Sequence, residues 1–423
     1  MRSTAKSFRI SIGLFGRRNV GKSSLLNAIT RQNVSIVSEV AGTTTDPVEK
    51  PMELQPLGPV LFVDTAGVDD EGALGAQRIE RTRQVIARTG IAVLVAEAGV
   101  WSGFEQRLLD ELLARGLPTL VALNKCDISA PALAVLDELA RRNTAHCVVS
   151  ALNGHGIDGL RSALAALAPE RAAEPAVILR DLVKPGQLAV LVTPIDREAP
   201  KGRIKQLQVQ SIRDLLDGDA SCIVVKETGL PGALRMLRTP PRLVVTDAQV
   251  FASVARNTPE DVPLTAFSIL FSRLKGDLVR QTRAALTIDS LAPGDHILIA
   301  ESCTHHPVED DIGRVKIPQL LSKRVGGPLE MTTVQGRDFP ADLSPFRLVI
   351  HCGACMWTRT EMLARIGDCV RQHTPITNYG LVIAHSLGIL ERALEPFPDA
   401  LAAYREERAN PLISAATAVE AHA

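Results

Sequence analysis

The sequence predicts an α/β protein of three domains, the first of which has a wound, mostly parallel sheet. Its 423 residues exceed what a single hydrophobic core usually includes. Short apolar runs alternate with amphipathic helical patterns, and a stretch rich in alanine and proline at residues 163–177 interrupts the alternation. We therefore expect domains at residues 1–170, 175–260 and 261–410, followed by a flexible tail at residues 411–423.

The first domain has five predicted strands. They are FRISIGLF, VLFVD, IAVLVAEA, PTLVALN and HCVVS. Helical patterns follow in SSLLNAIT and GFEQRLLDELLARG, and the second of these places a set of apolar residues at helical spacing: Phe104, Leu108, Leu109, Leu112 and Leu113. We expect this stripe to face the core.

The second and third domains repeat the alternation. Strands are predicted at QLAVLVTPI, SCIVVKE and RLVVTD, with helices at RIKQLQVQSIRDLLD and LPGALRML. The third domain begins near VPLTAFSILFSRLKGDLV, and its strands ILIAE and RLVI each run directly into a group of cysteines and histidines. Because ligand sites of parallel α/β sheets usually lie at the carboxyl ends of strands, this pattern indicates a site.

Composition narrows the function classes. Lysine plus arginine equals aspartate plus glutamate at 47 each, so the whole chain offers no basic footprint, and we expect no nucleic-acid partner. Seven unevenly spread cysteines favour a reducing, cytoplasmic compartment. The N-terminal MRSTAKSFRISIG has no apolar core typical of a signal peptide, and no apolar run approaches the roughly 20 residues of a spanning helix. We expect no membrane contact.

A phosphate-binding loop is predicted at GRRNVGKS, Gly16–Ser23, between a strand and a helix. Its glycines let successive backbone N–H groups point at phosphate oxygens, Lys22 adds charge at the outer phosphates, and Ser23 offers a hydroxyl to Mg²⁺. The predicted nucleotide contacts from this segment are Gly16, Arg17, Arg18, Asn19, Val20, Gly21, Lys22, Ser23 and Ser24.

Three further stretches indicate that the nucleotide is GTP. In DTAG, Asp64 can reach Mg²⁺ through water, and the Gly67 amide can sense the γ-phosphate. In NKCD, which includes Asn124 and Lys125, the Asp127 carboxylate can accept both hydrogens of the guanine N1 and N2 edge. The segment SAL can supply a backbone N–H to guanine O6, and its residues are Ser150, Ala151 and Leu152.

Catalysis is assigned to Lys22, Thr44 and Gly67. Thr44 lies in AGTTTD, where a switch segment should supply a threonine to Mg²⁺ and lose it after hydrolysis. Its neighbours Thr43 and Thr45 are alternatives, and a solvated turn is the structural alternative.

These motifs, over about residues 8–168, resemble the potassium-activated bacterial GTPases related to the tRNA-modifying GTPases. The resemblance implies that Asn19 helps to hold K⁺. Val68 follows DTAG, so the glutamine that orients water in Ras-like proteins is absent. We expect slow hydrolysis, stimulated by K⁺ or by a partner.

A second candidate site combines thiols and imidazoles in the third domain. ESCTHH contains Cys303, His305 and His306, and HCGAC contains His351, Cys352 and Cys355. Cys-x-x-Cys can direct two thiolates at one metal. Three thiolates with a histidine suit a structural Zn²⁺, and the alternative is an iron–sulfur cluster in which one iron has a non-cysteine or exchangeable ligand.

The combination resembles the [FeFe]-hydrogenase maturation GTPases. Further stretches agree with that family, namely PIDREAPKGRI, DDIGRVKIP and PITNYG. The resemblance implies a [4Fe–4S] cluster on Cys303, Cys352 and Cys355, with His305 and His351 as candidates for the fourth ligand. It also implies a homodimer formed by the middle domain, and a scaffold that receives a transient diiron precursor with CO, CN⁻ and dithiolate ligands. Radical-SAM maturases would supply that precursor, and the apo-[FeFe]-hydrogenase would accept it.

Two other functions fit parts of the sequence. An RNA- or ribosome-directed GTPase with a structural zinc site would need a basic, aromatic-bearing surface, which 3% aromatic residues and zero net charge disfavour. A radical-SAM or other iron–sulfur redox enzyme would need a Cys-x-x-x-Cys-x-x-Cys loop, which the sequence lacks.

Overall fold

The computed structural model describes residues 9–30, 48–55, 57–65, 82, 85–168, 177–195, 204–302, 311–336, 338–354 and 357–409. The chain divides into two units, Met1–Pro175 and Ala176–Ala423. Helices and strands of the described residues are numbered below in chain order. No described helix has the length and apolar character needed to cross a membrane.

The first unit contains a six-stranded sheet of order β2-β3-β1-β4-β5-β6. Its strands are β1 (Ile10–Phe15), β2 (Val48–Leu54), β3 (Gly58–Asp64), β4 (Ile91–Glu97), β5 (Thr119–Asn124) and β6 (Ala145–Val148). All neighbours are parallel except β2 and β3. A wound, mostly parallel sheet is therefore confirmed for this unit. Strand β2 was not predicted from the sequence. It contains Pro51, which an edge position tolerates because one side of the strand needs no N–H donor.

Helices pack against the sheet through two clusters of buried apolar residues. They are α1 (Lys22–Thr30), α2 (Gly103–Ala114), α3 (Leu133–Arg141) and α4 (Ile157–Leu167). One cluster includes residues of α1 and α4. The other includes Leu108, Leu109 and Leu112 of α2, with Phe104 and Leu113 packed against it. The predicted core-facing stripe of α2 is thus confirmed.

The second unit begins with a four-stranded sheet of order β10-β9-β7-β8, in which all neighbours are parallel. Its strands are β7 (Leu188–Val192), β8 (Ser221–Val225), β9 (Leu243–Thr246) and β10 (Leu264–Ala266), and its helices are α5 (Gln206–Asp217), α6 (Leu230–Met236) and α7 (Phe251–Asn257). β10 belongs to this sheet although it lies beyond the boundary that we placed after residue 260.

The remaining elements form a third sheet of order β12-β11-β13-β14, again entirely parallel. Its strands are β11 (His296–Glu301), β12 (Glu330–Gln335), β13 (Leu348–His351) and β14 (Ile376–Asn378). The helices after β10 are α8 (Phe267–Lys275), α9 (Leu278–Ala285), α10 (Ile317–Val325), α11 (Arg359–Arg371), α12 (Tyr379–Ser386), α13 (Leu390–Leu394) and α14 (Pro398–Arg408). Ala300 of β11 pairs with His351 of β13, so the carboxyl ends of these two strands lie side by side.

Candidate functional site

The phosphate-binding loop lies between β1 and α1, as predicted from the sequence. Gly16 and Gly21 have φ of 143° and 89°, and Asn19 has φ of 60°. A Cβ atom at Gly16 would collide with the Val95 carbonyl oxygen, so only glycine fits there. Arg18 and Ser24 are partly buried, and Asn19 is exposed. This loop leads into helix α1, whose N-terminal amides and dipole favour an anion.

Lys22 is folded onto the loop. Its Nζ donates hydrogen bonds to the carbonyl oxygens of Gly16 at 3.1 Å and Arg17 at 2.7 Å. The residue is 8% exposed. The ammonium group is thereby held at the loop itself, where its charge can act on a bound phosphate.

The neighbouring hydroxyl and carboxylate suit a magnesium ion. Ser23 Oγ donates to Asp64 Oδ2 at 2.8 Å, and Asp64 Oδ1 is buried without a hydrogen-bond partner among the described residues. Burial raises the pKa of Asp64, and the Ser23 hydrogen bond and the Lys22 charge only partly offset this. A buried carboxylate oxygen that lacks a donor is stabilised by a cation, so the pair fits Mg²⁺ bound directly by Ser23 and through water by Asp64.

Asn124, at the end of β5, connects three loops. Its Nδ2 donates to the Val20 carbonyl oxygen at 2.8 Å, and its Oδ1 accepts from the Ala151 amide at 2.9 Å. The residue is 2% exposed. This single side chain therefore links the phosphate-binding loop to both predicted guanine-binding segments. Lys125, with φ of 63°, forms an ion pair with Glu97 at 2.9 Å.

The groups predicted to bind guanine lie next to these links. Asp127 is exposed, and the Leu152 side chain is 87% exposed. The Ser150 amide donates to the His155 carbonyl oxygen, and the Ala151 amide already donates to Asn124. Of the three backbone amides of Ser150, Ala151 and Leu152, that of Leu152 has no acceptor in the described part of the chain.

Arg17 has a role that the sequence did not reveal. Its Nε donates to Glu105 Oε1 at 2.6 Å, and its guanidinium carbon lies 4.9 Å from the centroid of the Phe104 ring. Glu105 is 2% exposed and belongs to the capping box that begins α2. The Arg17 side chain therefore braces the phosphate-binding loop against α2. The capping pattern SGFE was visible in the sequence, but its distant partner was not.

Cys352 follows β13 directly and is the described member of the thiol set. Its Sγ accepts a hydrogen bond from the Ser302 amide at 3.1 Å and lies 3.1 Å from Ser302 Oγ. Ser302 follows β11 and precedes Cys303. Lys275 Nζ donates to two carbonyl oxygens close to Cys352 in sequence, that of Ala354 at 2.8 Å and that of Trp357 at 2.9 Å.

His351 is completely buried, and both of its ring nitrogens have partners. Nδ1–H donates to the Cys352 carbonyl oxygen at 2.8 Å, and Nε2 accepts from Arg365 Nη1 at 2.9 Å. Burial and the nearby Arg365 charge lower the pKa of His351 to about 3, so the ring is neutral. Its use as an iron ligand would require one of these two hydrogen bonds to break.

Several predicted site residues lie outside the described residues. They are Thr44, Gly67, Cys303, His305 and Cys355. Within the described ranges, no group of three or more His, Cys, Asp or Glu residues is placed to hold a metal. Burial raises the pKa of Cys147 and Cys222, and raises that of Cys369 to about 12, so these thiols are poor metal ligands.

Two of the stretches used for the family resemblance lie against each other beside β11. Arg314 of DDIGRVKIP donates to Glu301 at 3.1 Å, and Glu301 is 2% exposed. A Cβ atom at Gly313 would collide with the Tyr379 hydroxyl of PITNYG. These two stretches therefore pack together next to the carboxyl end of β11, the strand that precedes Cys303 in the sequence.

Family models match all three regions. Residues 11–125 match the 50S ribosome-binding GTPase family, residues 178–276 the hydrogen maturase F dimerization domain, and residues 280–396 the hydrogen maturase F tetramerization domain. The two hydrogen maturase F matches together span more than half of the chain.

Curated relatives match about a third of the chain. GTPase Der of Wolinella succinogenes is 36% identical over 162 residues, which are 36% of this chain and 34% of that protein. The tRNA modification GTPase MnmE of Prochlorococcus marinus is 35% identical over 158 residues, 37% of this chain and 34% of that protein. The chain thus spans about a third of the length of these relatives.

Solved structures add only weak likenesses. Era of Aquifex aeolicus bound to GDP·AlF4⁻ is 20% identical, covers 59% of this chain and 99% of its own, and gives a TM-score of 0.35. The G domain of T. maritima FeoB is 21% identical, covers 38% of this chain and 99% of its own, and gives 0.30. Both TM-scores are below 0.5.

The fold and the first site define a phosphate-loop GTPase domain followed by two α/β domains that serve self-association. The chain belongs to the hydrogen maturase F (HydF) family, which confirms the resemblance drawn from its motifs. A tetramerization domain was not anticipated from the sequence, which predicted a homodimer.

Proposed function

We propose that the protein is an [FeFe]-hydrogenase maturation factor, a GTPase that carries an iron–sulfur cluster and delivers a diiron precursor to the apo-hydrogenase. The observation that carries this proposal is the presence, in one chain, of an organised nucleotide loop and two HydF domains. The precursor, with its CO, CN⁻ and dithiolate ligands, is cargo; radical-SAM maturases would supply it.

The first unit would hydrolyse GTP slowly. Lys22 and the loop amides bind the phosphates, Ser23 and Asp64 hold Mg²⁺, and Asp127 with the Leu152 amide selects guanine. Asn19 would help to hold K⁺, Thr44 would add a ligand to Mg²⁺, and the Gly67 amide would sense the γ-phosphate. Val68 gives no side chain able to orient water, which is why stimulation by K⁺ or a partner is expected.

The third domain would hold the cluster through Cys303, Cys352 and Cys355, with His305 or His351 as candidates for the fourth position. The donor chemistry fits, because the Cys352 sulfur already accepts a backbone N–H, an arrangement that stabilises a thiolate bound to iron. When bound, the cluster supplies an iron with an exchangeable position at which cargo can be attached. The hydrogen bonds of His351 favour the view that the fourth position is filled by another group.

Self-association would use the exposed edge of the second sheet. β8 is an edge strand, and its Val224 side chain is 39% exposed. Val209 and Leu216 of the adjacent helix α5 are 44% and 56% exposed. An apolar edge strand beside apolar helix positions is typical of a surface that a second copy covers.

We further propose that hydrolysis gates the exchange of partners. A bound nucleotide can shift contacts only through a difference in affinity between two states. A Lys22→Ala variant should therefore retain the cluster but release the hydrogenase more slowly. If hydrogenase activation and partner dissociation were both unchanged in that variant, hydrolysis would have no part in transfer.

The experiment that tests the cluster is iron and sulfide analysis with EPR of the anaerobically reconstituted, reduced protein. About four irons and four sulfides per chain, with a signal that Cys352→Ser and Cys355→Ser remove and Cys147→Ser keeps, would support the proposal. One tightly held zinc with no iron signal would instead support an RNA- or ribosome-directed GTPase with a structural metal.

A further inference from the structure

A buried arginine donates a hydrogen bond to His351, the residue before Cys352. Arg365 of α11 is 5% exposed, and its guanidinium carbon lies 3.9 Å from the centroid of the Trp357 ring and 4.5 Å from that of Phe339. Its Nη2 donates to the Gly336 carbonyl oxygen at 2.6 Å. A planar cation that contacts two aromatic rings and donates to a backbone carbonyl has a fixed position and orientation.

The contacts of this guanidinium lead to Cys352 from two sides. On one side Arg365 donates to His351 Nε2 at 2.9 Å, and His351 Nδ1–H donates to the Cys352 carbonyl oxygen at 2.8 Å. On the other side Trp357 Nε1–H donates to the Ser302 carbonyl oxygen at 3.0 Å, and the Ser302 amide donates to Cys352 Sγ at 3.1 Å. The backbone and the sulfur of Cys352 are thus both tied to Arg365.

The charge of Arg365 lacks a conventional partner. No carboxylate forms an ion pair with it in the ranges that the structure describes. The nearby groups whose negative charge would stabilise it are Cys352, which has the largest effect, and then Cys369, Glu361 and Asp368. A buried cation without a paired anion is unfavourable. A thiolate that carries an anionic metal cluster would supply the missing charge.

We propose that Arg365 is a positioning residue and counter-charge for the iron–sulfur site, which orients Cys352 and favours the reduced form of the cluster. This inference rests on the proposed function. Reduction transfers one electron from an external one-electron donor to the cluster and adds one negative charge, with no bond made or broken at Cys352. A fixed cation beside the cluster stabilises that added charge.

The test is a dithionite-poised redox titration, followed by EPR, of the full-length protein reconstituted with iron and sulfide. Arg365→Gln removes the charge, and Arg365→Lys keeps it while losing the planar contacts. Arg324→Gln is the matched control, since Arg324 lies in the same domain but pairs with Asp289 at 2.6 Å. Circular dichroism and GTP hydrolysis establish that each variant is folded.

At a fixed potential, Arg365→Gln should lower the ratio of reduced to oxidised cluster about tenfold, which for one electron is about 59 mV. Arg365→Lys should recover most of that ratio with an altered EPR line shape, and Arg324→Gln should match the wild type. If Arg365→Gln does not fold, the lysine variant decides through its ratio and line shape. A ratio and line shape unchanged in the folded arginine variants would overturn the inference. Absence of any cluster from the wild type would instead contradict the proposed function.

Discussion

Asn124→Ala tests whether one side chain holds the nucleotide site together. Asn124 is 2% exposed and makes two hydrogen bonds, to the Val20 carbonyl oxygen and from the Ala151 amide. Alanine leaves both backbone groups without that partner, and each buried unsatisfied group costs about 1–3 kcal/mol. Because water can enter a loop near the surface, we take the lower part of the combined range, about 2–3 kcal/mol. This corresponds to nucleotide affinity weakened about 30- to 150-fold.

The assay is titration with fluorescently labelled GDP and GTP, alongside thermal unfolding of the nucleotide-free protein. Both nucleotides should lose affinity to a similar extent, since Asn124 supports the loops and does not sense the γ-phosphate. Asn257→Ala is the control, because Asn257 makes one exposed side-chain bond, to the Ser253 carbonyl oxygen at 2.8 Å. A nucleotide affinity of Asn124→Ala within about threefold of the wild type, a difference in binding free energy of less than ~1 kcal/mol, would show that Asn124 does not hold the loops together. So would a loss confined to GTP.

Three further predictions concern specificity, pH and assembly. Asp127→Asn should weaken GTP binding at least about tenfold and improve binding of XTP, because an amide can donate to the xanthine C2 oxygen; competition titrations measure both. Burial alone would raise the pKa of Asp289, but the hydrogen bonds and charges of His385 and Arg324 outweigh it and lower that pKa. The ionised carboxylate therefore stabilises the fold above the pKa of about 3.9 that an aspartate has in the unfolded chain, and this stability is lost as the pH falls through the lower pKa of the folded state. Below about pH 4.5, the melting temperature should therefore fall more steeply in the wild type than in Asp289→Asn. Val224→Lys should reduce the mass found by light scattering, whereas lysine at the exposed Ile128 of the first unit should not; equal masses in the two variants would count against β8 as an interface.

Local patterns were sufficient to predict the strand, loop and helix of the phosphate-binding segment. Glycines at fixed spacing, a preceding buried strand and a following helix depend on neighbouring residues only, and the structure places Gly16 and Gly21 at positive φ between β1 and α1. The elements missed were short or polar edge strands. β10 and β14 have three residues each, and β12 reads EMTTVQ, so none shows the apolar run or alternation on which a strand prediction depends.

Side-chain roles that depend on distant partners were beyond the sequence. Arg17 meets Glu105 across 88 positions, and Lys275 meets Ala354 across 79. Arg365 sits in an amphipathic helical pattern in which an arginine ordinarily faces water. Its burial results from the ring contacts of Trp357 and Phe339, which only the folded third domain brings together.

The carrier function is tested most directly by activation of apo-[FeFe]-hydrogenase. The protein would be isolated anaerobically from cells that also express the radical-SAM maturases. Hydrogen evolution would be measured after mixing, with Cys147→Ser as a control for loss of a thiol elsewhere. We expect activation by the wild type and by Cys147→Ser, and at most residual activation by Cys352→Ser. Equal activation by Cys352→Ser, or none by a wild type that carries its cluster, would contradict the claim that this chain is a maturation carrier.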